Sequence, residues 1–96
     1  MNPRKEKISK LIKKEIGKIL EEDIEWKENL LVTVNRAELN DNFSLAVIFI
    51  SVFPDDGELE VQRILRTLLP RINILFRKSI PLRAFPKLEF QIEKIS

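Results

Sequence analysis

Ninety-six residues with a 44% hydrophobic fraction and a net charge of +2 fit one domain with a single core, residues 1–96. Cys, His and Tyr are absent and there are only two glycines. This excludes disulfides, thiolate chemistry and a Gly-rich phosphate loop, and leaves an enzyme without its commonest bases and nucleophiles. The longest apolar run, Leu45–Ile50, is far short of the roughly 20 residues that cross a bilayer, and the lysine-interrupted N-terminus does not read as a signal peptide. A soluble, cytoplasmic monomer without cofactor, metal, membrane or small-molecule substrate is expected.

After Pro3 and Arg4, the residues Ile8, Leu11, Ile12, Ile16, Ile19 and Leu20 recur at helical spacing, with lysines around the rest of the circumference. Gly17 interrupts this helix and points to a close approach to the sheet. Glu21, Glu22, Asp23 and Glu25 end it, because negative charge is unfavourable at a helix C-terminus. Leu30–Leu39 reads as a strand, with Leu30, Val32, Val34 and Arg36 on one face and Thr33, Asn35 and Ala37 on the other. Asn40-Asp41-Asn42 is turn chemistry. The following strand, Leu45–Phe53, is apolar on both faces and suits the centre of a sheet.

Pro54 to Gly57 stop that strand, and Asp55 or Asp56 is placed to cap the next helix. This helix buries Leu59, Val61, Ile64, Leu65 and Leu68, and Pro70 kinks or restarts it. A second piece carrying Ile72, Leu75 and Phe76 ends at Pro81. Leu88, Phe90 and Ile92 alternate with polar residues in a last strand that Pro86 can only begin. A right-handed crossover makes the strands on either side of the broken helix parallel, while the short Asn-Asp-Asn turn makes the first two antiparallel. The fold class is α+β in the order α-β-β-α-(kink)-α-β, a three-stranded mixed sheet with the helices on one face.

The small net charge hides a segregation along the chain. Residues 1–20 hold seven Lys/Arg and two Asp/Glu, residues 21–60 two and eleven, and residues 61–96 eight and two. Basic clusters of this kind suit a phosphate backbone. The candidate contacts are Arg63, Arg66, Arg71, Arg77, Lys78 and Arg83, followed by Lys10, Lys13, Lys14 and Lys18. Arginine makes bidentate, charge-assisted hydrogen bonds to phosphate, whereas lysines on an amphipathic helix also serve plain solvation. Trp26, among acids, reads as a packing residue rather than a base-stacking one. Phe43, Phe49, Phe53, Phe76, Phe85 and Phe90 read mostly as core, and Asp55-Asp56 as a cap rather than a metal site.

From Val32 to Phe53, and above all at Val32-Thr33-Val34, Glu38-Leu39, Ser44-Leu45-Ala46 and Ser51-Val52-Phe53, the chain resembles the strand–turn–strand of the bacterial ribosome-binding factor A family. Leu82-Arg83-Ala84-Phe85-Pro86-Lys87-Leu88-Glu89-Phe90 resembles that family's Leu-Arg-x-x-Pro-x-Leu-x-Phe ending. The resemblance implies a type II KH-like fold and a non-catalytic factor that binds the 30S small ribosomal subunit and its 16S rRNA. It also implies a role in late 30S maturation and 16S processing, needed especially in the cold, with neighbouring ribosomal proteins as further partners. The chain departs from the family at the interhelical kink, where Leu68-Leu69-Pro70 stands in place of an Ala-x-Gly element, and at the Asp-Pro-Arg after the first helix, whose region holds Glu25-Trp26-Lys27-Glu28. A protein–protein module using the acidic centre and a sheet edge is the alternative reading, and generic single-strand binding a second.

Overall fold

Asn2 accepts hydrogen bonds from the backbone N–H groups of Arg4 and Lys5 at 3.1 and 3.2 Å. With Pro3 at the first helical position, this cap starts helix α1, Pro3–Glu22, in the computed structural model, which describes residues 2–94. The helix stops in the acidic run as its charge requires, Asp23 donating its N–H to the Ile19 carbonyl at 2.9 Å. Trp26 folds back and donates its Nε1–H to the Leu20 carbonyl at 2.9 Å, packing against the core. Gly17 faces Val34, and a Cβ placed there would meet that side chain at 3.9 Å, an ordinary contact.

Strands β1 (Leu31–Leu39), β2 (Leu45–Phe53) and β3 (Lys87–Ile92) form a sheet in the order β1-β2-β3. β1 and β2 are antiparallel, β2 and β3 parallel, so the strand that is apolar on both sides does lie in the centre. The face holding Ala46, Ile48, Ile50 and Val52 is buried under both helices, against Ile12, Ile16, Val61, Leu65, Ile72 and Phe76. The opposite face stays open: Leu45, Val47 and Phe49 are half-buried, and Leu31 and Phe53 are 62% and 70% exposed.

The alternation expected along β1 fails midway. Val34 pairs with Ile50 and Arg36 with Phe49, so Asn35 is an extra residue in a β-bulge. The bulge exchanges the two faces beyond it: Ala37 and Leu39 turn into the core, and Arg36 turns outward over the Phe49 ring, 3.8 Å from its centroid.

Helix α2 runs Glu58–Ser79 after a 3-10 turn at Asp55–Gly57. Neither Asp55 nor Asp56 caps it. Its N-cap is Gly57, which has no side chain to offer, because the 3-10 turn takes up the aspartates and the helix starts after them. Of the two outcomes expected at Pro70, a kink or a restart, the restart does not occur, and the helix is continuous with the proline inside it. An exposed proline removes one N–H and crowds one carbonyl, a local penalty that Ile72 and Phe76, buried just beyond it, outweigh. Leu59 is 80% exposed rather than core, since Val61, Leu65, Ile72 and Phe76 define the inward stripe and Leu59 lies across the helix from it. Beyond the helix, Phe85 packs edge-on against Phe76, 5.4 Å between centroids at 77°.

Candidate nucleic-acid interface

The ten basic side chains singled out by sequence are all exposed, and they fall into separate groups. On α2, Arg63, Arg66, Pro70 and Arg77 follow one another at helical steps of three, four and seven residues, opposite the buried stripe. They form one ridge, about 21 Å long at the rise of an α-helix. Arg71 and Lys78, seven apart, occupy a different flank of the same helix. The kink residues divide in the same way: Leu68 and Leu69 pack against the core and only Pro70 faces solvent. Arg77 and Lys78 also sit in the last turn of α2, where positive charge complements the helix dipole.

Arg66 borders a shallow groove of about 310 Å³ between α2 and the edge strand β3, floored by Leu65, Leu69, Leu88 and Phe90. Lys10, Lys13, Lys14 and Lys18 line another groove, of about 960 Å³, between α1 and the edge strand β1. The strand order puts these two grooves at opposite edges of the sheet. Arg83 belongs to neither. It stands in the segment leading to β3, at a cleft it shares with Arg4 and Phe43.

Few of these cations are neutralised. Lys10 pairs with Glu6 at 3.6 Å and Arg63 with Glu60 at 3.4 Å, and the other eight take part in no salt bridge among the described residues. Glu60 also holds Lys27 at 3.0 Å, and this hydrogen bond, with a smaller contribution from Arg63, lowers its carboxyl pKa. Arg36, by contrast, is spent internally. Its Nε donates to Glu38 at 2.8 Å and its Nη1 to both oxygens of Glu93 at 2.7 Å. Among the described residues no cluster of acidic side chains could hold a metal ion, and no helix is long and apolar enough to cross a membrane.

Sequence reasoning missed Arg4 and misplaced Phe43. Arg4 lies 5.6 Å from the centroid of the Phe43 ring, and Phe43 is in the loop after β1 with φ of 62°, not in the core. Asn40 to Asn42 signalled the turn, but nothing in the sequence marks a phenylalanine for a left-handed backbone.

The helix–strand–strand–helix–strand order, with a mixed sheet covered on one face, defines a KH-like domain. A family model described as ribosome-binding factor A matches residues 4–96, and the chain belongs to that family. Ribosome-binding factor A of Coprothermobacter proteolyticus is 26% identical over 90 residues, which cover 94% of this chain and 66% of that one. The chain spans less than two thirds of the length of the curated relatives it matches first. The crystal structure of ribosome-binding factor A from Thermus thermophilus superposes with a TM-score of 0.76 at 22% identity, covering 92% of this chain and 93% of that one. A T. thermophilus ribosome-binding factor A fitted into a cryo-EM map of its 30S complex gives 0.72 at 21% identity, over 86% and 88%.

Proposed function

We propose that this domain binds the 30S small ribosomal subunit through its 16S rRNA and assists late subunit maturation and rRNA processing without catalysing a reaction. The observation that carries this reading is the set of eight exposed candidate cations without an acidic partner among the described residues, in a chain of the ribosome-binding factor A family. An unneutralised cation has counterions to release to a phosphate, and Arg63, paired only with Glu60 at 3.4 Å on the surface, can exchange that weak contact for one. The 30S complex of the T. thermophilus relative supports the same partner, and a cytoplasmic site of action is in keeping with it. The ridge Arg63–Arg66–Arg77 is the principal contact, with Arg71 and Lys78 beside it and the α1 lysines as a second contact.

Co-sedimentation with separated subunits tests this. The wild-type domain is expected to pellet with 30S particles and to dissociate steeply as salt rises. Arg63→Glu/Arg66→Glu/Arg77→Glu is expected to weaken binding by at least tenfold with the fold intact, since each lost phosphate contact lowers the salt slope by roughly 0.7–0.9. Wild-type pelleting by the triple variant would sink the interface. A second reading, a protein contact on the open sheet face and not on the acidic centre and sheet edge considered from sequence, is favoured by the exposure of Leu31 and Phe53. Its signature is subunit binding that survives high salt and is lost with Phe53→Ser.

A further inference from the structure

Three segments far apart in sequence meet at one end of the molecule: the start of α1, the loop between β1 and β2, and the segment between α2 and β3. They enclose a cleft of about 590 Å³, the size of a small-ligand pocket, with Phe43 and Leu82 as apolar walls and Arg4 and Arg83 as its cations. Asp41, the acid at its mouth, is neutralised by Lys5 at 3.1 Å.

Phe43 is the unusual member. Its φ of 62° places a bulky residue where glycine or asparagine is normal, at a cost on the order of 1 kcal/mol. The loop holds it there firmly. Phe43 donates its N–H to the Asn40 carbonyl at 3.1 Å, the Asn40 side chain accepts from the Leu45 N–H at 2.9 Å, and Ser44 donates its hydroxyl to Asn42 at 2.6 Å. The ring is only half-buried and does not belong to the core cluster. A side chain that takes up strain without filling the core has its use at the surface. Arg4 lies 5.6 Å from the ring centroid, so an aromatic face and a guanidinium already sit side by side.

We propose that this cleft takes one unpaired nucleotide of the bound RNA, its base against Phe43 and Leu82 and its flanking phosphates on Arg4 and Arg83. Unstacked bases bind aromatic faces and arginine planes, and phosphates bind arginine. The proposal rests on the RNA-binding reading above and adds a structural preference to it, since the α2 ridge meets only backbone whereas this cleft requires a base free of its helix.

The test uses two fluorescent RNA hairpins, each closed by a non-nucleotide linker so that the loop offers no base. One has a fully paired stem and the other a single bulged nucleotide, and both are titrated with the wild-type domain and with Phe43→Gly. Wild type is expected to bind the bulged hairpin more tightly. Phe43→Gly is expected to lose about 5- to 100-fold on the bulged hairpin, as for a lost base–aromatic stack, and nothing on the paired one. Its melting temperature should stay level or rise, because glycine accepts the left-handed backbone. A drop in melting temperature with both affinities unchanged would make Phe43 a packing residue and overturn the proposal. Phe43→Leu, which keeps the apolar bulk without a π-face, should lose the same preference in part, and Arg83→Gln should lower the salt slope on the bulged RNA alone. Equal displacement of the bulged RNA by a polyglutamate peptide would make the cleft a generic anion site and overturn it too. The ridge variant Arg63→Glu/Arg66→Glu/Arg77→Glu separates the two readings: weakening on both hairpins supports the ridge, while failure of the cleft touches only the bulge preference.

Discussion

Arg36 explains how a strand that is apolar on both sides can lie at the centre of a sheet with one face open. Its guanidinium lies over Phe49, held by Glu38 and Glu93, so charged atoms meet the water while the ring beneath is shielded. The hydrogen bond from Arg36, with help from Asn35, draws the Glu93 carboxyl below its ordinary range, as Lys27 does for Glu60. A carboxylate with a depressed folded pKa contributes stability that is present above its unfolded value, about 4.3, and lost as pH falls through the folded one. The urea midpoint is therefore expected to decline as pH drops from 5 towards 3. In Glu93→Gln/Glu60→Gln the decline should be shallower, and two parallel curves would refute the linkage. Arg36, raised further above its ordinary value by the hydrogen bonds to Glu38 and then Glu93, stays charged throughout.

Among the elements, α2 departs most from its sequence pattern. Its proline sits on the exposed ridge, between Arg66 and Arg77, in the middle of a continuous helix. Pro70→Ala would restore one N–H to the ladder and relieve the crowded carbonyl, against a smaller entropic gain in the unfolded chain. A stabilisation of about 1–2 kcal/mol with an unchanged denaturant slope is expected in urea titration. A loss of stability would show that the helix depends on the proline's geometry. The elements themselves were legible because their periods are strong: the isoleucine stripe of α1, the alternation of β3 and the unbroken β2 read directly as what they are. The bulge at Asn35 was not. One inserted residue leaves Val-Thr-Val-Asn-Arg-Ala looking like a regular strand, and only the pairing with β2 reveals that Ala37, not Arg36, faces inward. Leu59 was misread for a similar reason, because where a helical stripe begins depends on where the helix begins.

The molecule as a whole measures 37 × 30 × 17 Å, a thin plate with grooves at opposite edges of its sheet, one bordered by Arg66 of α2 and the other by the α1 lysines. Charge counting along the chain picks out these residues but does not show that they divide, because the separation is set by strand order. Sites more than 7–10 Å apart that share no partner act additively, and at 0.15 M salt the Debye length is about 8 Å. Lys10→Glu/Lys14→Glu/Lys18→Glu and the α2 ridge variant are therefore expected to weaken 30S binding by factors that multiply, to within roughly 0.5 kcal/mol, in subunit titrations. Strong coupling would mean that both edges grip one RNA segment. The parallel pairing of β2 with β3 also has a consequence in time. Ile48 finds its neighbour Phe90 only after all of α2 has been made. At roughly 5–20 residues per second a nascent chain leaves that edge of β2 open for seconds. During that interval a hydrogen-bonding edge with Ile48 and Ile50 along it is available to other unpaired strands, so the last strand does not merely finish the sheet but closes the period in which the newborn domain is prone to aggregate.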